Sequence, residues 1–364
     1  MFKEKGGQFN DTRTLRVELT DTKQVVTGPW PCPDFVYPNY QDDGYIAVSL
    51  DTKTLSFVKS NLSRIPDVFV RTMLWHDLWE MVRNTEMPLK DYVKIMEQHF
   101  GPEKDTILLT KIVSRVNGRG SILHYWPTSE AAMAELNKFI GNMERNFLSR
   151  FRSAKAGSDA QKFWFDQFTS LAKSEMALNQ LAKWAEETKV GPGFPLDLDR
   201  QWGLVNQLAR YQHKDAPRLL EMMKIKDSSD RGVRSALAVE AVQPDMTVKQ
   251  KWIGMLAQPK PNLPFASARV VLRSLFPMEQ APLAQRFEND FYAYLKANGA
   301  SEDEIYVENF AERTVPLDCE QQASTRLKTF LDETAKFSPS VVKTLKITLE
   351  EDERCQRVRA MAAM

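Results

Sequence analysis

The sequence of 364 residues has no long apolar run and no excess of charge of either sign. No stretch approaches the ~20 apolar residues that span a bilayer, and MFKEKGGQFND at the start contains no apolar signal core. The net charge of +1 provides no long-range field for nucleic acid or an anionic membrane. We therefore expect a soluble, cytoplasmic protein that recognises its partners locally and binds neither nucleic acid nor membranes.

Cysteine is scarce and widely spaced. Cys32, Cys319 and Cys355 are an odd number, and no C-x-x-C occurs. This pattern argues against a disulfide framework and favours a reducing compartment. Acidic residues on both sides of Cys319 disfavour its thiolate form, so the sequence does not predict a thiol nucleophile.

Motifs that carry catalysis or bind phosphate are also absent, including H-E-x-x-H, G-x-S-x-G, Walker A and G-x-G-x-x-G. His76 and Glu80 share one face of a predicted helix, but Arg83 lies beside them and no third ligand is near, whereas catalytic zinc has three protein ligands. A solvated face with an i, i+3 pair between Glu80 and Arg83 is the favoured interpretation. The other histidines are expected at helix ends or in a loop: His99, His124 and His213. We expect no catalytic and no metal-binding residue in this chain.

Two patterns divide the chain near residue 51. Before it, TLRVEL (14–19), KQVVTG (23–28) and GYIAVSL (44–50) predict short strands, which are too few to fold without another packing surface. After it, apolar residues recur at three- and four-residue spacing and predict a succession of helices from residue 53 to residue 361. Asp67 and Ser129 are predicted to cap two of them, and residues 279–297 are predicted to form one helix.

A succession of helices joined by short loops predicts stacked antiparallel helix pairs. The predicted fold is mostly α: an irregular helical solenoid of the HEAT or armadillo kind, forming a superhelical bowl, over residues 52–364. A small, incomplete β-sandwich segment precedes it over residues 1–51. The aromatic residues in KFWFDQF (162–168) and Trp184 are assigned to the core, since core packing of such large side chains is more common than ligand stacking.

Several segments, in order, resemble the C-terminal part of zinc aminopeptidases of the aminopeptidase N family, most closely the bacterial kind. Gln201 departs from the pattern. The family usually has an arginine directly before the tryptophan that is Trp202 here, whereas in this chain the arginine is Arg200, about 100° away around the helix. The segments are PDFVYPNYQDDGYIAVSLD (33–51), RTMLWHDLWEMVRNTEMPLKDYV (71–93), FPLDLDRQWGLVNQLA (194–209), KDSSDRGVRSALAVEAVQPDMTVKQKWIGML (226–256), FPMEQAPLAQRFENDFYAYL (276–295) and EEDERCQRVRA (350–360).

The resemblance implies a non-catalytic part of a larger hydrolase. In the family, H-E-x-x-H binds zinc and G-x-M-E-N binds the substrate's amine, both in an N-terminal catalytic domain, and neither motif is present here. The chain is therefore predicted to hold no cofactor and to be inactive alone, with zinc belonging to a catalytic domain that acts in cis or in trans. The family's helical domain forms a chamber that caps the active site and admits peptides for removal of N-terminal amino acids.

Arginines on helices that line such a chamber are expected to contact a peptide carboxylate, because guanidinium matches carboxylate in a bidentate geometry. The candidates are Arg231, Arg234, Arg269 and Arg273. An alternative function is a stand-alone helical-repeat scaffold that binds a peptide or protein partner. A third, an autonomous hydrolase, lacks a visible nucleophile–base pair.

Overall fold

The computed structural model describes residues 2–5, 8–11, 14–18, 20–29, 32–191, 193–258 and 261–362. The chain is mostly helical, which confirms the predicted fold class. No helix in the described ranges is both long enough and apolar enough to cross a membrane. The helices are α1 (Thr52–Asn61), α2 (Val68–Arg83), α3 (Leu89–His99), α4 (Thr106–Ser114), α5 (Ile122–Tyr125), α6 (Glu130–Ser153), α7 (Asp159–Leu171), α8 (Glu175–Ala185), α9 (Leu198–Arg210), α10 (Ala216–Lys226), α11 (Asp230–Ala241), α12 (Met246–Leu256), α13 (Phe265–Leu275), α14 (Ala281–Gln285), α15 (Glu288–Asn298), α16 (Glu304–Thr314), α17 (Gln321–Leu331) and α18 (Pro339–Ala362).

The strands are short and form two antiparallel pairs. β1 (Phe2–Lys5) pairs with β2 (Gln8–Asp11), and β3 (Lys189–Val190) pairs with β4 (Phe194–Pro195). The second pair lies at the loop between α8 and α9. Gly191 has φ +57° there, and a Cβ at this position would lie 2.8 Å from the ring of Phe151. Both the backbone conformation and the close approach therefore require glycine.

The chain divides into two compact units, one of residues 1–116 and 357–364 and the other of residues 117–356. In the first unit, the strands predicted at 14–19, 23–28 and 44–50 are wrong, since the described residues of these ranges form no strand. A strand needs a neighbour for its backbone hydrogen bonds, and alternation alone does not provide one. Several apolar side chains of this segment face solvent instead: Val25 is 78 % exposed and Ile46 53 %.

Part of the same segment does pack. Phe35 is buried and stacks on Phe57 of α1 with ring centroids 5.0 Å apart. Tyr37 donates a hydrogen bond from its hydroxyl to Asp77 on α2 at 2.7 Å, and both residues are buried. Phe35 and Tyr37 therefore attach this segment to the first two helices. Burial of the carboxyl group raises the pKa of Asp77, and the bond from Tyr37 partly offsets this.

The helix starts follow the predicted capping residues. The Asp67 side chain accepts hydrogen bonds from two backbone amides at the start of α2, and Ser129 accepts one at the start of α6. Along α2 the buried positions form the predicted apolar stripe. On its more exposed side, Glu80 and Arg83 form the predicted i, i+3 pair at 3.1 Å.

The second unit is built from successive helix pairs. α9 packs against α11, α11 against α13, and α13 against α16, so these four helices form one layer. α10 contacts both α9 and α11, and α12 contacts both α11 and α13. This alternation between two layers is the arrangement expected for helical repeats. Phe165, Phe168 and Trp184 lie in its buried core, as predicted.

Two local predictions fail in this unit. Residues 279–297 form α14 and α15 rather than one helix, and Pro282 lies in the first turn of α14, where its missing amide hydrogen costs no helical bond. Cys319 and Cys355 form a disulfide with Cα atoms 5.5 Å apart, so the expectation of unpaired cysteines is wrong. The number and spacing of the cysteines could not predict this disulfide, because the fold brings together two residues that are 36 positions apart in the sequence.

Candidate functional site

The recognisable segment 194–209, which contains Trp202, leads into α9 and forms most of it. Asp197 caps this helix by accepting the backbone amide of Arg200 at 2.8 Å. Trp202 is buried, and its indole nitrogen donates to a carboxylate oxygen of Asp227 at 2.8 Å. A hydrogen bond between Trp202 and Asp227 is therefore among the contacts that join two of the recognisable segments, 194–209 and 226–256.

Asp227 also organises the start of α11. Its other carboxylate oxygen accepts the Ser229 hydroxyl at 2.6 Å, and the bonds from Ser229 and Trp202 lower the pKa of Asp227. A Cβ on Gly232 would lie 2.2 Å from the backbone oxygen of Asp227. Glycine is thus required for α11 to approach this turn. Asp227 and Gly232, which belong to the recognisable segment 226–256, are therefore explained by packing and need no catalytic role.

Lys249 on α12 is fully buried. Its amine donates to the backbone oxygens of Ala241 at 2.7 Å and Leu275 at 2.5 Å, which end α11 and α13. Burial lowers the pKa of Lys249 to about 7. A neutral amine has two N–H donors, which matches the two carbonyl acceptors. This lysine therefore ties together the ends of two neighbouring helices in the layer.

The four arginines predicted to contact peptide lie on two helices that pack against each other, α11 and α13. Arg231 forms an ion pair with Asp199 of α9 at 2.6 Å, and Arg234 pairs with Asp230 in its own helix. Arg269 and Arg273 are exposed on α13. Within the described ranges no ion pair involves either of them. The two arginines of α13 are thus the more available cations for an anionic ligand.

The residues at the departure from the family pattern have structural partners. Gln201 is buried, donates to the Leu196 oxygen at 3.0 Å and accepts Lys226 at 2.6 Å. Arg200 makes a bidentate pair with Asp166 of α7 at 2.9 and 3.0 Å. Glutamine therefore serves internal packing at the position where the resemblance expects arginine, and Arg200 links α7 to α9.

A cavity of about 380 Å³ lies in the second unit beside the loop from α9 to α10. Its lining includes His213, Lys214 and Gln243 but none of the four predicted arginines. The His213 ring nitrogen Nε2 lies 3.0 Å from Asn179. This cavity therefore does not assemble the predicted peptide contacts.

The other histidines differ in environment. His76 is exposed on α2. His99 is buried, with Nδ1 2.9 Å from the Ser63 hydroxyl and Nε2 2.9 Å from the Lys59 carbonyl, and burial lowers its pKa. His99 ends α3, as expected, and its burial favours the neutral form of the imidazole.

One cluster of residues of the types that bind metal ions was not predicted from the sequence. His124, Cys319 and Cys355 place one ligand atom each within 4.8 Å of one another, a set that could hold a metal ion. His124 and Cys319 are 195 positions apart, so no motif spacing indicates the cluster. Only the tertiary structure brings these side chains together.

Comparison with known proteins gives two matches. A family model described as ERAP1-like C-terminal domain matches residues 35–354. A relative, "Aminopeptidase N" from Streptomyces lividans, is 24 % identical over 301 residues, which cover 82 % of this chain and 34 % of the relative. The chain thus spans about a third of the length of the relative it matches.

Proposed function

The chain belongs to the family of ERAP1-like C-terminal domains, and from this premise we propose that it is the non-catalytic helical part of an aminopeptidase N-like zinc metallopeptidase. Its helices form the wall of a chamber that caps the active site and admits peptides. The zinc ion and the residues that cleave the N-terminal amino acid belong to a catalytic part, in the same polypeptide or in a separate one. The chain alone is inactive.

The observation that carries this proposal is the match of a C-terminal domain family to nearly the whole chain, together with a relative of which the aligned residues make up only 34 %. A second observation supports a macromolecular partner. Val25, Tyr45 and Ile46 are exposed in a segment with apolar–polar alternation but no strand structure among its described residues. Apolar residues in such a segment are stabilised when a neighbouring sheet or domain covers them.

The peptide contact is proposed at α13. Arg269 and Arg273 are exposed and lie one turn apart, so a carboxylate can meet both guanidinium groups on one face of the helix. Arg231 and Arg234 of the adjacent α11 already have acidic partners and form a second rank of candidates. A carboxylate of a long peptide reaches this helix, whereas a small aminoacyl amide does not.

The test of the first claim is reconstitution. The chain is expressed alone and together with the catalytic part of an aminopeptidase N-like enzyme, either fused or separate. We expect no cleavage of aminoacyl amides by the chain alone and peptide cleavage by the combination. If the chain alone cleaves aminoacyl amides, the proposal is wrong. If it never associates with a catalytic part but binds peptide, the scaffold alternative is correct.

The test of the second claim is charge reversal in the reconstituted enzyme. Arg269→Glu combined with Arg273→Glu is expected to lower kcat/KM for a long peptide about tenfold and to leave a small aminoacyl reporter unchanged, since one lost charge-assisted contact costs about 1.5 kcal/mol. Lys343→Glu with Lys346→Glu is the matched control, because both lysines are exposed cations three residues apart on α18. An equal loss on both substrates contradicts the peptide-contact role.

A further inference from the structure

We propose that His124, Cys319 and Cys355 form a redox-gated zinc site, which is closed while the two cysteines are joined as a disulfide and binds Zn²⁺ when they are reduced. The site lies within the second unit. The inference does not rest on the proposed function, because it uses only residues of this chain.

The distance between the imidazole nitrogen and one sulfur matches a tetrahedral ion. His124 Nε2 lies 3.5 Å from Cys319 Sγ. With Zn–S of ~2.3 Å and Zn–N of ~2.05 Å, the N···S edge of a tetrahedral site is ~3.5 Å. This edge therefore needs no rearrangement. The Cα atoms of the two cysteines are 5.5 Å apart, which keeps both sulfur atoms within reach of one ion.

The ligands are held by contacts other than the disulfide. Cys319 donates its backbone amide to Asp352 Oδ1 at 2.7 Å, and Asp352 lies one turn before Cys355 on α18. Gln356 donates to the second oxygen of Asp352 at 2.8 Å, which orients the carboxylate. Reduction of the disulfide thus leaves Cys319 attached to the helix that carries Cys355. A site that stays assembled after reduction is a requirement for metal binding.

The chemistry and charge of the site favour a soft-to-borderline cation. Two thiolates and one imidazole are ligands that zinc prefers, and three protein ligands leave a fourth position for water. Cys355 is fully buried and Cys319 is 5 % exposed. Asp318, Glu351 and Asp352 contribute negative charge nearby, and two arginines oppose it: Arg354 pairs with Glu351 at 2.8 Å, and Arg119 interacts electrostatically with Asp352. Two buried thiolates are costly unless a cation is bound to them directly.

The protonation of His124 also depends on the state of the site. The Gly120 amide donates to Nδ1 at 3.1 Å, so the proton of neutral His124 lies on Nε2, toward Cys319. Zinc binding through Nε2 moves this proton to Nδ1 and releases the Gly120 amide. A backbone amide resonance of Gly120 therefore reports metal binding directly.

The site opens when the disulfide is reduced and closes when it is reoxidised. A dithiol reductant breaks the Cys319–Cys355 bond by thiol–disulfide exchange and becomes a cyclic disulfide, while the protein gains two electrons and two protons as two thiols. Zn²⁺ then replaces both thiol protons, which are released to solvent. For reoxidation, a small-molecule disulfide added in excess accepts the two electrons by thiol–disulfide exchange: its S–S bond breaks, it leaves as two thiols with two protons from solvent, the Cys319–Cys355 bond reforms and the ion is released.

The experiment uses the full chain with Cys32→Ser, which leaves Cys319 and Cys355 as its only thiols. After anaerobic reduction and removal of the dithiol, Co²⁺ or Zn²⁺ is added and bound metal is measured. We expect one ion per reduced chain with a thiolate–Co²⁺ charge-transfer band, and none per oxidised chain. Reoxidation is expected to release the ion.

Two variants keep the test decisive. Cys319→Ser is expected to abolish stoichiometric binding and the charge-transfer band. His124→Gln retains both cysteines and is expected to weaken binding at least tenfold while the disulfide still forms in oxidised protein. If reduced protein binds no more metal than Cys319→Ser, the proposal is wrong. Binding that His124→Gln leaves unchanged, or that leaves the Gly120 amide resonance unmoved, contradicts the assigned ligand set.

Discussion

Gly232 is the residue at which the smallest change should have a large effect. Any Cβ there would overlap the backbone oxygen of Asp227, and this atom cannot move without displacing the turn that holds Trp202. We expect Gly232→Ala to lower the free energy of unfolding by about 3 kcal/mol, measured by urea denaturation. Gly254→Ala is the matched control, because no atom lies within 4 Å of its Cβ position on α12. The control should gain about 0.5–1 kcal/mol from helix propensity, and equal effects at both positions would refute this account.

Single residues also mark the limit of prediction from the sequence. The caps Asp67 and Ser129 and the Glu80–Arg83 pair were predicted correctly, because each depends on neighbours within four positions. The disulfide between Cys319 and Cys355 was not predicted. Long-range pairing leaves no trace in local spacing, and the ligand cluster with His124 was missed for the same reason.

At the scale of helices, Lys249 sets a pH dependence for the contact of α11 with α13. Burial lowers its pKa to about 7, whereas an unfolded lysine has a pKa near ~10.4. Between these values the unfolded chain binds a proton that the native chain does not, so the free energy of unfolding rises with pH from about 7 upward. The gain is at most about 1.4 kcal/mol per pH unit.

We therefore expect the stability difference between wild type and Lys249→Met to grow in favour of wild type as pH rises from 7 to 9. Denaturant unfolding at several pH values measures it. Lys251→Met, on the same helix but with a more exposed side chain, serves as the control and should follow the wild-type curve. Parallel curves for wild type and Lys249→Met would show that this amine stays charged in the native state.

Whole elements were predicted with uneven success. Helices follow the 3.6-residue period of their own apolar residues, and the predicted succession of helices from residue 53 to residue 361 is confirmed. The break between α14 and α15 and the four-residue α5 were missed, because a period cannot be recognised in so few residues. Strands failed because their hydrogen bonds depend on a partner that the local pattern does not specify.

At the scale of the whole molecule, the two units should respond differently to acid. His99 lies in the first unit, and burial lowers its pKa below the unfolded value of ~6.5. As pH falls through 6.5, the unfolded state takes up a proton that the native state resists, so this unit loses stability. We expect a loss of at most about 1 kcal/mol between pH 6.5 and 5.5, detected by hydrogen exchange in α3.

The matched variants for this prediction are His99→Gln and His76→Gln. Glutamine at 99 keeps one donor and one acceptor for Ser63 and Lys59 but cannot titrate, so the acid-dependent exchange in α3 should disappear. His76 is exposed on α2, and its replacement should leave the exchange of α3 as in wild type. An unchanged acid response in His99→Gln would assign the effect to other groups.

The amine of Lys249 also fixes the position of the C-terminal end of α11 relative to that of α13. The carbonyls of Ala241 and Leu275 both accept hydrogen bonds from it, so the final turns of α11 and α13 lie next to each other. Arg234 lies seven residues before the first of these carbonyls and Arg269 six before the second, so the two arginines lie at similar distances along their helices from the shared amine. Deleting one residue of α13 between Arg273 and Leu275 would rotate its arginines by about 100° around the helix axis while the shared amine still fixed the far ends.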